Sequence, residues 1–106
     1  MTNIQFQSNK NPNTGSLFND VNLQVYPNPA EEQLTIAYEL NMHSKVSITI
    51  LDMLGKVIYI YQEMNEAGSH RLTLEEMKTK YFINEGTYIL KFSSDEYSTT
   101  HKIMIQ

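Results

Sequence analysis

Three histidines are the side chains of this 106-residue sequence best able to bind a metal or move a proton at neutral pH. They are His43, His70 and His101, and each is far from the others along the chain. Metal sites usually show paired ligands a few residues apart, and no such pair occurs here. The sequence also has no cysteine, which excludes disulfides and thiolate nucleophiles. We therefore predict no metal and no cofactor.

Carboxylates occur in three adjacent pairs, each in a predicted loop or turn: 31–32, 75–76 and 95–96. Side chains of neighbouring strand residues point to opposite faces, so such pairs rarely form an acid–base dyad. There is no calcium-loop pattern, no glycine-rich phosphate loop and no Gly-x-Ser-x-Gly motif. The sequence therefore predicts solvated charges and no enzyme activity.

Seven tyrosines provide a binding hypothesis, because a row of aromatic rings can stack on sugars. Tyr59 and Tyr61 share a predicted strand face, and Tyr38 and Tyr88 could each pair with a neighbour. Tyrosine also favours strands and fills the rims of sandwiches with its hydroxyl in water. A carbohydrate-binding or adhesive β-sandwich module is therefore the alternative function, and the structural role of the tyrosines is favoured.

The segment YPNPA at 26–30 is the most distinctive local motif. Pro27 and Pro29 lack a backbone donor, and each favours an extended conformation in the residue before it. The motif therefore predicts a rigid corner at which the chain leaves a sheet, to re-enter it at Gln33.

About seven short strands are predicted to position these residues. Apolar and polar side chains alternate with period two, which is typical of strands with one buried face. The predicted strands are 23–26, 34–40, 46–50, 57–61, 72–74, 88–92 and 101–105. The fourth is apolar on both faces and predicts a central strand that is covered on both sides. Residues 74–82 could form one or two helical turns.

The segments between strands favour antiparallel pairing. Residues 52–55 predict a type I turn with Gly55 in the left-handed region, and residues 65–68 end on a glycine in the same way. Residues 93–96 predict a polar turn. Because strands do not alternate with long helices, we predict an all-β fold, an antiparallel β-sandwich.

The composition indicates one globular domain with an acidic balance. Hydrophobic residues make up 41% and charged residues 19%, and the net charge is −4. This excludes a disordered chain and gives no basic footprint for nucleic acid. No apolar run approaches 18 residues, and the first ten residues lack the pattern of an export signal. Residues 1–20, rich in asparagine and turn residues, predict a linker or flexible segment before a domain at 21–106.

Short motifs follow one another in a fixed order: VYPNPA at 25–30, LTI at 34–36, VSITILDMLGKV at 46–57, AGSH at 67–70, EGTYILKF at 85–92 and Lys102 in the last strand. This series resembles the type A C-terminal sorting domain of the type IX secretion system (Por secretion system) of Gram-negative bacteria. The resemblance covers about residues 23–106. Residues 75–84 depart from it, because they are longer and more charged than the usual link.

The resemblance implies an immunoglobulin-like sandwich that is not an enzyme. Such a domain addresses an N-terminal cargo to shuttle proteins and an outer-membrane translocon. A sortase-like peptidase commonly removes it, and the cargo is then attached to the cell surface or released. The expected location is the periplasm in transit, and afterwards the cell surface or the medium. A purely structural spacer is a further alternative.

The resemblance also assigns recognition or motif positions: Pro27, Asn28, Pro29, Gly55, Gly68, Gly86, Lys102, Ile103 and Ile105. From the residues alone, the glycines would close turns at positive φ, and Lys102 could be either a recognition group or a solvated strand charge. We predict that strand 99–106 lies at a sheet edge and is recognised there by strand addition. Ile103 and Ile105 would face the core, with Lys102 and Met104 outward. We expect cleavage between Thr14 and Asn22.

Overall fold

The computed structural model describes residues 21–76, 80–81 and 84–106, and these contain seven strands. They are β1 (Gln24–Tyr26), β2 (Leu34–Leu40), β3 (Ser44–Leu51), β4 (Val57–Asn65), β5 (Gly68–Leu74), β6 (Gly86–Ser93) and β7 (Ser98–Ile105). The predicted all-β class and the predicted number of strands are confirmed. The expected linker at 1–20 lies outside the described residues.

The strands form two antiparallel sheets that pack as a sandwich. One sheet has the order β1–β2–β5, and the other has the order β4–β3–β6–β7. Lettered A to G in chain order, the sheets are ABE and DCFG. This is the immunoglobulin-like arrangement with the fourth strand moved from the first sheet to the second.

The core lies between the sheets and takes alternate residues from each strand. In β3 the buried Val46, Ile48 and Ile50 alternate with Ser47 and Thr49 on the outer face. The other buried apolar residues are Val21, Ala30, Leu34, Ile36, Tyr38, Leu40, Leu74, Tyr88, Leu90, Phe92, Ile103 and Ile105. One face of each sheet therefore contributes to a single shared core.

The turn between β3 and β4 is stabilised by Asp52. Its Oδ1 accepts the backbone N–H groups of Leu54 and Lys56 at 2.9 and 2.8 Å. The N–H of Gly55 donates to the Asp52 carbonyl at 3.1 Å. Gly55 has a φ of +90°, in the region that favours glycine, as the sequence predicted.

β4 lies at the edge of its sheet, so the prediction of a covered central strand was wrong. Among the described strands it pairs with β3 alone, and Ile60 on its outer face is 57% exposed. Tyr59 and Tyr61 lie on the other face and pack half-buried against the core. Aromatic and β-branched residues favour any pleated surface, so an apolar run by itself does not separate an edge strand from a central one.

The connection after β4 crosses from one sheet to the other. β4 belongs to the four-stranded sheet, whereas β5 pairs with β2 in the three-stranded one. Gly68 has the predicted positive φ of +119°, but it begins β5 instead of closing a hairpin. In contrast, β6 and β7 do form a hairpin through the predicted polar turn, in which the Ser94 N–H donates to the Tyr97 carbonyl at 2.7 Å.

Of the segment 74–82 that could form helical turns, residues 77–79 and 82 lie outside the described residues. In the described part of this segment, the Lys80 N–H donates to the Glu76 carbonyl at 2.7 Å. These residues are four apart in sequence, which is the hydrogen-bond spacing of an α-helix.

Candidate functional site

The last strand, β7, lies at the edge of the four-stranded sheet, as predicted. Ile103 and Ile105 are each 1% exposed, whereas Lys102 and Met104 point out of the sandwich. Among the described strands, β7 pairs with β6 alone. The alternation visible in the sequence therefore anchors one face of this strand in the core and presents the other to solvent.

The YPNPA motif covers the end of β7. The Oδ1 atom of Asn28 accepts the Met104 N–H at 3.0 Å, and the Ala30 N–H donates to the Met104 carbonyl at 2.8 Å. The Gln106 N–H in turn donates to the Ala30 carbonyl at 2.7 Å, so Ala30 forms a parallel bridge with Ile105. Two motifs from opposite ends of the domain thus form one unit. Sequence reasoning predicted the corner but missed this contact.

Because proline has no backbone N–H, the YPNPA loop has few donors for hydrogen bonds to the end of β7. Pro27 and Pro29 are exposed and have no N–H, and both prolyl peptide bonds are cis. The contact therefore depends on the Asn28 side chain and on the backbone of the fully buried Ala30.

The rest of the β7 edge is open. The N–H and C=O groups of Met104 point away from β6, towards the loop. In an antiparallel strand these groups alternate in direction, so those of Thr100 and Lys102 point to the same side. Among the described residues no strand pairs with that side. Unpaired groups at a sheet edge can accept an added strand.

The glycines of the proposed motif set are only partly brought to this site. Gly86 pairs with Ile105 across the β6–β7 ladder and has a φ of +140°. Gly55 lies in the turn that leads into β4, at the opposite edge of the four-stranded sheet, and Gly68 begins β5 in the other sheet. The motif residues that gather at β7 are Asn28, Gly86, Lys102, Ile103 and Ile105, together with Ala30.

Six of the seven tyrosines belong to the core or pack against it, whereas Tyr26 is 40% exposed, so they do not form an open aromatic row. Tyr38 is buried, with its ring centroid 5.4 Å from that of His70 and 5.0 Å from that of Phe92. Its hydroxyl donates to Asn65 Oδ1 at 2.5 Å, and the Asn65 amide donates to the Tyr61 hydroxyl at 3.2 Å. This chain of hydrogen bonds joins β2 of one sheet to β4 of the other.

Burial also perturbs two of these phenols. It raises the pKa of Tyr38 well above its usual value, with a smaller contribution from the neighbouring Tyr61. It likewise raises the pKa of Tyr59, whose ring meets Tyr81 edge-on at 5.3 Å. Tyr88 is buried as well and donates to the Asn84 carbonyl at 2.7 Å. The raised pKa values favour the uncharged forms of Tyr38 and Tyr59, which are part of the packing.

Two of the three histidines, His43 and His70, both contact Glu66. His43 Nε2 lies 3.9 Å from the Glu66 carboxylate, with both side chains exposed, while His70 Nε2 lies 2.7 Å from the Glu66 carbonyl oxygen. His101 is on β7. In the described part of the chain, no three metal-ligating side chains come together. The helices of that part include none long and apolar enough to cross a membrane.

The fold and the edge at β7 define an immunoglobulin-like β-sandwich module. A family model described as the secretion system C-terminal sorting domain matches residues 24–106. The chain therefore belongs to the family of Por secretion system C-terminal sorting domains. It is a non-catalytic domain that directs the secretion of a cargo protein, and it interacts with the secretion machinery; the cargo can itself be an enzyme.

Among solved structures, the chain is similar to dimeric latent PorU from Porphyromonas gingivalis, with a TM-score of 0.62 and 16% sequence identity. The match covers 78% of this chain and 9% of that one, so the chain corresponds to a small part of that protein. At this identity the likeness shows the fold alone. No curated protein matches the chain.

Proposed function

We propose that this chain carries its cargo through the outer-membrane translocon of the type IX secretion system, with β7 as the recognised element. The observation that supports this role for β7 is its position: it is an edge strand with two buried anchors, Ile103 and Ile105, and an open stretch of backbone at Thr100 and Lys102.

Recognition proceeds by strand addition. A partner strand pairs with the outward N–H and C=O groups of Thr100 and Lys102, and main-chain hydrogen bonds supply the affinity. The Lys102 side chain, exposed on the outer face, adds a charge that the partner can distinguish. Pro27, Asn28 and Pro29 take part indirectly, because their loop covers the end of the strand and limits where pairing can start.

The partners follow from this route. Shuttle proteins and the translocon engage the folded domain in the periplasm, and the cargo then reaches the cell surface or the medium. A sortase-like peptidase removes the domain. Val21 is buried and its carbonyl accepts the Glu39 N–H at 2.8 Å, so a cut at Val21 or Asn22 requires local unfolding. We place the cut before Val21, within the segment that begins at Thr14.

A reporter fusion tests the proposal. The whole 106-residue chain is joined to the C-terminus of a neutral periplasmic protein and expressed in a bacterium that has the secretion system. We expect the reporter outside the cell only when the chain is attached. A reporter that stays in the periplasm would show that the chain is a spacer.

A second pair of fusions tests Lys102. Lys102→Glu should reduce export while leaving the melting temperature unchanged, because the side chain lies outside the core. Lys56→Glu is the control, since it makes the same charge change at an exposed position of the β3–β4 turn. Equal export of the two variants would show that Lys102 is an exposed charge with no role in recognition.

A further inference from the structure

The outer face of the four-stranded sheet is a continuous surface with an unusual charge. Its side chains alternate with the buried ones, and the pairing registers align them in rows across the four strands. We call this surface the DCFG face; its residues are Lys45, Ser47, Thr49, Leu51, Ile60, Gln62, Met64, Thr87, Ile89, Lys91, Ser93, Ser98, Thr100, Lys102 and Met104.

The DCFG face is positive in an acidic chain. The chain has 12 carboxylate residues against 8 basic ones, yet the described residues that form this face include three lysines and no aspartate or glutamate. The outer face of the other sheet is mixed, since Glu39 and Arg71 both lie on it. The absence of carboxylates is therefore particular to the four-stranded sheet.

The positive charge is centred on Lys91 and Lys102. Ile89 pairs with Lys102 and Lys91 pairs with Thr100, so the two lysines are diagonal neighbours on β6 and β7, with Cα atoms roughly 7–8 Å apart. Lys45 lies further along β3, and its backbone N–H donates to the Asp95 carboxylate at 3.4 Å. An acidic group therefore lies beside the backbone of Lys45, whereas Lys91 and Lys102 lie further from it along the face.

Hydroxyl groups surround Lys91. Ser47, Thr49, Ser93, Ser98 and Thr100 line a shallow depression beside it. Hydroxyls and an ammonium group are donors that suit a carboxylate, and a hydrogen bond to a charged group is stronger than one between neutral groups. The depression therefore offers several donors to one anionic side chain.

This surface is continuous with the open edge of β7. A strand added beside Thr100 and Lys102 extends the same sheet, so every second side chain of that strand lies on the DCFG face. Side chains directly across from each other on adjacent strands interact, and opposite charges stabilise the pair. The lysines of this face thus favour a strand whose outward side chains are acidic.

We propose that the DCFG face selects a partner strand that carries acidic side chains at alternate positions, read by Lys102 beside it and by the hydroxyl-lined depression at Lys91. The proposal rests on the proposed function, and it adds the chemistry of the partner. The positive charges of Lys91 and Lys102 would repel a strand with lysine or arginine on the same face.

Peptide binding tests the proposal independently of secretion. The probes are an eight-residue peptide that alternates glutamate with valine, the same peptide with glutamine for glutamate, and vesicles of anionic phospholipid. We expect the whole chain to bind the glutamate peptide at least about tenfold more tightly than the glutamine peptide. Lys91→Glu should abolish that preference, and Arg71→Glu, the matched change on the other sheet, should keep it.

Three results would overturn the proposal: equal binding of the two peptides, an unchanged preference in Lys91→Glu, or binding to the vesicles alone, which would indicate a lipid surface. Export of the Lys91→Glu fusion completes the test. If the parent fusion is exported and Lys91→Glu is exported equally, the DCFG face is not used although the sorting function stands. If the parent fusion is not exported, the sorting function fails, and the peptide result still decides the surface chemistry.

Discussion

The two edges of the four-stranded sheet differ in how each strand is attached to the core. β4 begins with an unbroken apolar run at 57–61, yet Val57, Ile60 and Met64 are about half exposed on it. β7 alternates strictly in its C-terminal half, with Ile103 and Ile105 buried in the core. The YPNPA loop covers the end of β7, and in the described residues no comparable segment pairs with the outer edge of β4.

This difference teaches that edge position and core attachment are separate properties. β4 is joined to the second sheet at its last residue, where Asn65 accepts the hydrogen bond of Tyr38. β7 is joined through two fully buried side chains and through the loop at Asn28 and Ala30. Of the two edge strands, β7 has the deeper anchors, and the recognition proposed for β7 requires a strand that stays in place when a partner pairs with it.

The largest expected contrast is in the core contribution of the two strands. Ile103→Ala should lower the free energy of unfolding by about 2–5 kcal/mol, because it leaves a cavity in the core. Ile60→Ala, on the exposed face of β4, should change it by about 0.5 kcal/mol or less. Chemical denaturation measures both. Should Ile103→Ala fail to fold, Ile103→Val should still cost about 0.5–1.5 kcal/mol; equal effects at the two positions would contradict the comparison.

The turn that leads into β4 gives the next largest effect. Gly55→Val should cost about 1–3 kcal/mol, because a β-branched residue is strained at a φ of +90°. A Cβ added at Gly55 would meet no atom within 4 Å, so the cost is backbone strain alone. Gly55→Asn, which tolerates positive φ better, is the control. A thermal melt of Gly55→Val equal to that of the parent would show that this φ is wrong.

Removal of the cover from β7 should have a smaller effect on stability. Asn28→Ala deletes the acceptor of the Met104 N–H and should cost about 0.5–1.5 kcal/mol. Hydrogen exchange at the Met104 amide should accelerate, whereas Asn28→Asp, which keeps an acceptor oxygen, should preserve its protection. Unchanged exchange at Met104 in Asn28→Ala would mean that the loop does not cover the strand.

The smallest effect concerns the attachment of β4 and is absent at neutral pH. The pKa of Tyr38 is raised in the folded state, so the folded protein holds that phenolic proton more tightly than the unfolded chain. Stability should be constant up to the usual tyrosine pKa near 10 and should fall as the pH rises above it. Denaturation at pH 7 and pH 11 measures this, and Tyr38→Phe should lose less stability over that interval. An equal loss of stability in Tyr38→Phe would show that ionisation of Tyr38 is not its cause.

The sandwich was largely predictable because most of its strands have one buried face. Such a strand shows apolar and polar residues that alternate with a period of two. The same alternation correctly predicted that Ile103 faces the core and that Lys102 and Met104 face outward. The alternation gave the wrong answer at β4, where both faces are apolar. β-Branched and aromatic residues favour strands in general, so an apolar face does not by itself show that the face is buried. The alternation also could not pair β5 with β2, since a glycine turn after β4 is compatible with either a hairpin or a crossing between sheets.

The candidate site was predictable only in part. Lys102 and the YPNPA motif were each visible, but nothing in the chain between them shows that Asn28 contacts Met104. That contact depends on the return of β7 beside the first loop, which is a property of the topology. The missing carboxylates of the DCFG face have the same origin, because β3, β4, β6 and β7 come together only in the folded sheet.

The central claim is that the chain is a sorting signal read by the type IX translocon. The most direct test compares one reporter fused to the whole chain in two strains, one intact and one without the translocon. We expect the reporter to reach the surface or medium of the intact strain and to accumulate in the periplasm of the other. Release to the same extent in both strains, or retention in both, would contradict it.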